Sequence, residues 1–452
     1  MPHEGSDVLN LPALKINVDN NARFRYLDGY WFRLIDVSIC CAPAEADTQF
    51  TVFDSSAWKK QLLIFKEYIL LPSNADVVVV GGGVIGASIA YHLARRKISV
   101  VLIEKGDLAS GSSGACGGTI FLQTKSPGTH LELALESSRR FVHLEQELGF
   151  GFEYQRHGGM IVIESEEELR TLEQFVEKQK NIGLDVSLLD QKQARELEPS
   201  LSETILGASF SPLDAQVNPM FLTFAFIKAA RDLGAKTLAH TRVTGFCKAS
   251  HRIKSVTTDK GEIQTRVVVN AGGVYAAKIG ALLDLEIPIK PRRGQLVVSE
   301  AIGPTISRCM LSAQYIAAKF NADLAQKGGG VSIEPTASGN FILGSTREFV
   351  GFDKSVTLEG IFHIAKHASR IIPCLKKLNF IRVFAGLRPY TPDGLPILGT
   401  VAGLDGFVMA AGHEGDGIAL APITGEIIAD LIVDNRAGFP LEEYNLARFY
   451  PK

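Results

Sequence analysis

The segment Val80-Gly81-Gly82-Gly83-Val84-Ile85-Gly86 carries glycines at G-x-G-x-x-G spacing between a β-branched run and an apolar helical stretch. That spacing lets a pyrophosphate meet backbone N–H groups and the positive end of a helix. Gly81 suits the tight turn, Gly83 the close approach of the ligand, and Gly86 the closing of helix onto strand. Glu104 stands 18 residues past Gly86, at the end of the next apolar run. A carboxylate there accepts hydrogen bonds from ribose hydroxyls, which favours an adenosine with a free 2′-OH (FAD or NAD) over NADP.

Three later segments separate FAD from NAD. Ala109–Gly118 is a polar, glycine-rich loop able to wrap donors around a long buried cofactor. Val267–Gly273 runs a second strand into a glycine turn that can approach the same pyrophosphate. Ala411-Gly412-His413-Glu414-Gly415-Asp416-Gly417 leads from a strand into a helix whose N-terminus suits negative charge developing on a flavin ring. A plain NAD dehydrogenase leaves all three unexplained.

The elements that must position these residues follow from periodicity. Strands are expected at Asp76–Val80, Ser99–Ile103 and Phe407–Ala411, and a helix from Gly86 through Arg96. Further helices are expected at about 129–149, 165–182, 219–233, 358–371 and 417–433. A strand or hairpin is expected at Gln155–Ile163, short strands at 236–270, and strands throughout 289–345. Helix-flanked strands at both ends, with antiparallel-looking ones between, predict an α/β chain. Its Rossmann-like FAD-binding domain (75–150, 210–285 and 385–452) is interleaved with an α+β substrate domain (151–209 and 286–384) on an antiparallel or mixed sheet. Residues 1–74 read as an N-terminal extension, in which Ser55 caps a helix carrying Trp58, Leu62, Phe65 and Ile69.

Composition narrows the partners. Of 452 residues, 46% are hydrophobic and 21% charged, and Lys+Arg 47 against Asp+Glu 49 leaves a net charge of −2. No basic field exists for nucleic acid or acidic lipid. The six cysteines form no C-x-x-C pair, which argues against zinc, iron–sulfur and a disulfide framework and for a reducing cytoplasm. No metal site is expected. The first twenty residues have no apolar signal region. Val77–Ala94 is uncharged and long enough to span a membrane, but four glycines interrupt it.

Together these segments resemble the glycine oxidase/D-amino-acid oxidase family of FAD-dependent amine oxidoreductases over residues 76 to 445. Within that family the sequence is similar to bacterial amino-acid dehydrogenases and to the β subunits of sarcosine, proline and hydroxyproline dehydrogenases. The strongest match is Gly386-Leu387-Arg388-Pro389-Tyr390-Thr391-Pro392-Asp393-Gly394-Leu395-Pro396-Ile397-Leu398-Gly399; Ser112–Gly118, Gly294-Gln295-Leu296 and Gly412–Gly417 also match. The resemblance implies oxidation of the C–N bond of an amino acid or secondary amine, by hydride transfer to flavin N5. It implies that Arg388 holds the substrate carboxylate, a role that a guanidinium fork suits. Tyr390 is placed with it in the substrate pocket.

The cofactor-contacting set carried by these segments is Gly81, Gly83, Val84, Ile85, Gly86, Glu104, Lys105, Ser112, Ser113, Gly117, Val243, Ala271, Gly272, Gly412, His413, Gly415, Asp416 and Gly417. His413 is a catalytic candidate that tunes the flavin or deprotonates the ammonium, beside a plainer reading as a histidine bonded within a turn. Glu414 and Asp416 read first as helix-start acids satisfying N–H groups. Arg292 and Arg293 are adjacent on a strand, so at most one enters the pocket. The Ser110–Gly118 loop has no histidine, and the Arg388–Gly399 segment lacks the cysteine of monomeric sarcosine oxidases. FAD is therefore expected to be non-covalent, with Cys116 a buried, inert thiol. The electron acceptor leaves no motif. An alternative reading makes the chain one subunit of a hetero-oligomeric electron-transfer complex that docks through residues 1–74.

Overall fold

The computed structural model describes residues 24–27, 30–33, 71–303, 306–320 and 330–450. The chain divides into two units, Met1–Tyr68 and Ile69–Lys452. In the first, strand Phe24–Leu27 pairs antiparallel with Tyr30–Arg33. The helix expected around Trp58–Ile69 lies outside the described residues.

In the second unit the four consecutive valines Val77–Val80 form a strand buried along its whole length. It lies between the parallel strands Val100–Ile103 and Val267–Asn270. A central parallel strand is covered on both faces, so it reads as a continuous β-branched run instead of alternating. Strand Lys236–Leu238 extends the sheet beyond Val100–Ile103, and Leu404–Ala411 extends it on the other side. The order, by first residue, is 236, 100, 77, 267, 404, 252 and 243. Helix Val84–Arg95 makes the crossover and packs against helices Pro219–Asp232 and Gly417–Val433. The other expected helices are present as Thr129–Leu148, Glu166–Asn181 and Leu358–Ile371.

The other large sheet has eight strands in the order Phe380–Tyr390, Lys290–Ser299, Phe341–Gly344, Ser332–Pro335, Cys309–Ser312, Gly159–Ile163, Gly207–Ser211 and Ser187–Asp190. It is mixed: Cys309–Ser312 runs parallel to Gly159–Ile163, and its other pairings are antiparallel. Two expected boundaries, at 209/210 and 384/385, each fall inside a strand of this sheet. Both strands pair only within this sheet, and periodicity does not mark which sheet a strand joins. The expected run of strands over 289–345 is also interrupted, by helix Ala313–Phe320. On one face, the amphipathic helix Leu358–Ile371 buries Ile364, Ala368 and Ile371, and Gly360 packs against Gln295. Residues of the opposite parity face a cavity.

Candidate active site

That cavity, of about 710 Å³, runs from the glycine turn after Val80 to the face of the mixed sheet opposite helix Leu358–Ile371. At one end, Gly81 has φ +122°, and a Cβ there would stand 2.3 Å from the Ala271 carbonyl oxygen. A Cβ on Gly86 would stand 1.9 Å from the Gly81 carbonyl oxygen, so helix and strand touch through bare backbone. The first turn of helix Val84–Arg95 holds no acid, and no side chain caps it from Gly83. Ser113 Oγ accepts from Val84 N at 3.0 Å, which pins the Ala109–Gly118 loop over the helix start. Glu104 is oriented by two backbone donors, Gly82 N at 2.8 Å and Gly106 N at 2.9 Å, each on a different carboxylate oxygen. Lone pairs on both oxygens remain for ribose hydroxyls. An open helix start, a backbone turn that excludes Cβ and an anchored acid together fit a dinucleotide.

At the other end the loop meets the mixed sheet. Ser112 Oγ donates to the Leu387 carbonyl at 2.6 Å, and a Cβ on Gly386 would stand 2.0 Å from the Ala115 carbonyl oxygen. These contacts fix Arg388 relative to the loop. The Arg388 side chain lies across Gly294, where a Cβ would come within 2.5 Å of both terminal nitrogens. Its Nη1 donates to the Thr346 carbonyl at 3.0 Å, and Nη2 donates to Ser345 Oγ. Arg292, opposite Arg388 in the strand pairing, is buried and ion-pairs with Glu414. Glu414 also stands 4.0 Å from Arg388 Nε. Arg347, buried nearby, stacks over Tyr315. Three guanidiniums gathered around the Glu414 carboxylate leave positive potential where Arg388 lines the cavity, which suits an incoming carboxylate.

Most of the expected residues share this one cavity. Gly81, Gly83, Val84, Ile85, Glu104, Lys105, Ser112, Ser113, Gly117, Val243, Ala271 and Gly272 line it, as do Arg388, Gly412, His413, Gly415 and Gly417. Gly86, Tyr390 and Asp416 are not part of its lining. Gly86 serves the helix–strand contact. Tyr390 lies under the Arg292 guanidinium, 4.6 Å from it, and meets Phe349 edge-on. Asp416 pairs with Lys125 Nζ at 2.7 Å and His130 Nε2 at 3.1 Å. The helix-start reading of the two acids is corrected accordingly. Asp416 occupies the cap position but makes no side-chain cap hydrogen bond, and Glu414 ion-pairs with Arg292 while also accepting from Gly415 N, two residues before the helix. As alternation requires, Arg293 points to the other face, where it binds Glu348 and Asp353.

Sequence reasoning missed Glu334 and Ser332, which line the cavity from strand Ser332–Pro335. The available signal was an acid sharing strand parity with a serine in an otherwise apolar run. Missed too were Ser345, which receives Arg388, and Tyr275 with Lys278 at the cofactor end.

His413 is buried and its Nε2 bonds Thr424 Oγ1 at 3.1 Å. Burial pulls its pKa down to about 3, opposed by Asp416, so the imidazole is neutral and weakly basic. The native state therefore protonates only near pH 3, while the unfolded chain does so near 6.5. The stabilising contribution is complete above pH 6.5 and drains as pH falls towards 3. Denaturant midpoints measured between pH 7.5 and 4.5 should fall less steeply in His413→Gln, whose amide can still reach Thr424. An identical slope would contradict the neutral-imidazole assignment. In the same cavity, burial pushes the Cys116 thiol up to about 12, which leaves it protonated at neutral pH.

A family model described as "DAO: FAD dependent oxidoreductase" matches residues 76–431. The chain is 32% identical over 420 residues to the hydrogen cyanide synthase subunit HcnC of Pseudomonas aeruginosa, covering 83% of this chain and 97% of that one. It is 31% identical over 386 residues to the glycine oxidase of Geobacillus kaustophilus, covering 83% and 98%. Among solved structures, the L-proline dehydrogenase of P. horikoshii matches with a TM-score of 0.77 and 32% identity, covering 84% of this chain and 98% of that one. Among the described residues, no helix is long and apolar enough to cross a membrane.

Proposed function

The chain belongs to the DAO family of FAD-dependent oxidoreductases, and on that premise we propose that Arg388 anchors the carboxylate of a small amino acid or secondary amine whose C–N bond is oxidised. The observation that carries this reading is the Arg388 guanidinium, laid across Gly294 into the cavity that also holds the dinucleotide cradle. FAD, when bound, supplies the hydride acceptor at N5. The chain's own residues bind and orient. Gly81, Gly83, the start of helix Val84–Arg95 and Glu104 hold the cofactor, without a covalent bond. Arg388 fixes one end of the substrate, which sets its α-carbon and nitrogen in a constant pose. His413, buried and neutral, braces the turn before helix Gly417–Val433 and is too weak a base to hold the ammonium proton.

Purified protein mixed without oxygen with glycine, sarcosine, proline, hydroxyproline and D-amino acids should bleach its flavin spectrum with at least one of them. Failure of the whole panel would remove this substrate class. A second reading, a subunit of an electron-transfer complex that passes electrons to a partner or another acceptor, is favoured by exposed apolar side chains. Phe380, Ile381 and Val383 on an edge strand, and Leu358 and Phe362 on the helix packed against strands Lys290–Ser299 and Phe341–Gly344, are exposed. A monodisperse single chain with full turnover would count against it. A reducing, cytoplasmic setting suits Cys116, Cys247, Cys309 and Cys374, all of which are free thiols.

A further inference from the structure

We propose that Glu334 faces the substrate nitrogen and takes up its ammonium proton before the C–N bond is oxidised. The inference rests on the reading of Arg388 as carboxylate anchor and extends it to the other end of the substrate. Glu334 lies on the cavity side of strand Ser332–Pro335 and is 6% exposed. One carboxylate oxygen accepts from Gly118 N at 2.9 Å, and the other from Ser332 Oγ at 3.1 Å. Among the described residues no lysine, arginine or histidine pairs with it. A carboxylate so buried, with two neutral donors and no cation, is costly to keep charged. A cation arriving through the cavity relieves that cost.

The sheet brings this acid into the same cavity as Arg388. Arg388 starts on the edge strand, crosses Gly294 on the second strand and reaches Ser345 and Thr346 at the end of the third. Ser332–Pro335 is the fourth strand; Ser332 pairs with Gly344, next to Ser345, and Glu334 pairs with Ile342, so Ser332 stands between the Arg388 end and Glu334 and hydrogen-bonds the Glu334 carboxylate. The Cys116 thiol lies within electrostatic reach of both groups, with Glu334 raising its pKa and Arg388 lowering it. Gly117 has no room for a side chain because the Glu334 oxygens would stand 2.2 Å from its Cβ. A guanidinium and a carboxyl that both reach one thiol from the same cavity form the complement of a zwitterion.

In the step, the ammonium N–H bond breaks and its electron pair stays on nitrogen. The proton forms an O–H bond on Glu334. The resulting neutral amine is the form able to release hydride from its α-carbon. Burial lifts Glu334 to about 7, which suits a proton acceptor near neutral pH. The groups facing it are Cys116 from the loop and Cys309 from the adjoining strand, both thiols raised by burial. Beyond them stand Arg388 and Asp214, the latter also lifted to about 7 by burial.

Acetate, an unreactive carboxylate, provides a readout apart from turnover when titrated into the holoenzyme while the visible flavin spectrum is followed from pH 6 to 8.5. Rising pH ionises Glu334, which should repel acetate while favouring capture of an ammonium. Acetate Kd is expected to weaken by about threefold or more across this range, while kcat/KM for a flavin-reducing substrate rises. Both dependences should flatten in Glu334→Gln with FAD content unchanged, an outcome that a purely structural role would not produce. Wild-type pH profiles in Glu334→Gln, or loss of the dependence in Asp214→Asn instead, would overturn the proposal. If acetate perturbs the flavin at no pH and no panel substrate reduces it, the carboxylate-anchor reading fails first and Glu334 falls with it.

Discussion

Arg388→Leu is expected to lower kcat/KM by roughly 30- to 5,000-fold, mainly through KM, with FAD still bound at full occupancy. The range corresponds to about 2–5 kcal/mol for losing one partner of a hydrogen-bonded charge pair. The effect is large because the site is prepared for this one group. Gly294 leaves space for the guanidinium, and Ser345 and the Thr346 carbonyl orient it. Removing it leaves a substrate carboxylate desolvated against an apolar side chain. Arg388→Lys keeps the charge without the planar fork and should recover only part of the loss. Steady-state kinetics and the flavin absorbance of the purified variants read both quantities. Unchanged KM in Arg388→Leu would remove the assignment.

Gly81→Ala is expected to yield protein that neither retains FAD nor reaches wild-type stability. Two costs combine. At φ +122° an alanine is strained by about 1–3 kcal/mol. Its Cβ would also lie 2.3 Å from the Ala271 carbonyl oxygen, and two backbone segments must separate to admit it, for about 1–3 kcal/mol more. Those segments are the two turns that line the cofactor end of the cavity, so the displacement falls where the pyrophosphate would bind. A purified variant with full flavin absorbance and an unchanged unfolding midpoint would contradict this.

Local chemistry carried most of the site. The glycine turn was legible because only glycine tolerates such backbone contacts, and Glu104 because the strand–helix–strand unit fixes its distance from Gly86. Arg388 was legible through the matched Gly386–Gly399 segment. Long-range pairing was not legible. Asp416 looks like a helix cap in sequence, and its partner Lys125 lies 291 residues away. Glu334 looks like one acid in a strand until the Ala109–Gly118 loop folds over it. The strand Phe380–Tyr390 gives no sign in its sequence that it stays in the mixed sheet past residue 385. Each of these depends on which surfaces meet, a property of tertiary packing and not of spacing.

The most direct test of the central claim compares amino acids with their decarboxylated counterparts in anaerobic stopped-flow reduction of the bound flavin: proline beside pyrrolidine, and sarcosine beside dimethylamine. An amine oxidoreductase that anchors its substrate through Arg388 should be reduced by at least one of the carboxylates, and its counterpart should react at least about 30-fold more slowly at equal concentration. Equal reduction by both members of each pair, or a flavin that none of them bleaches, would contradict the account.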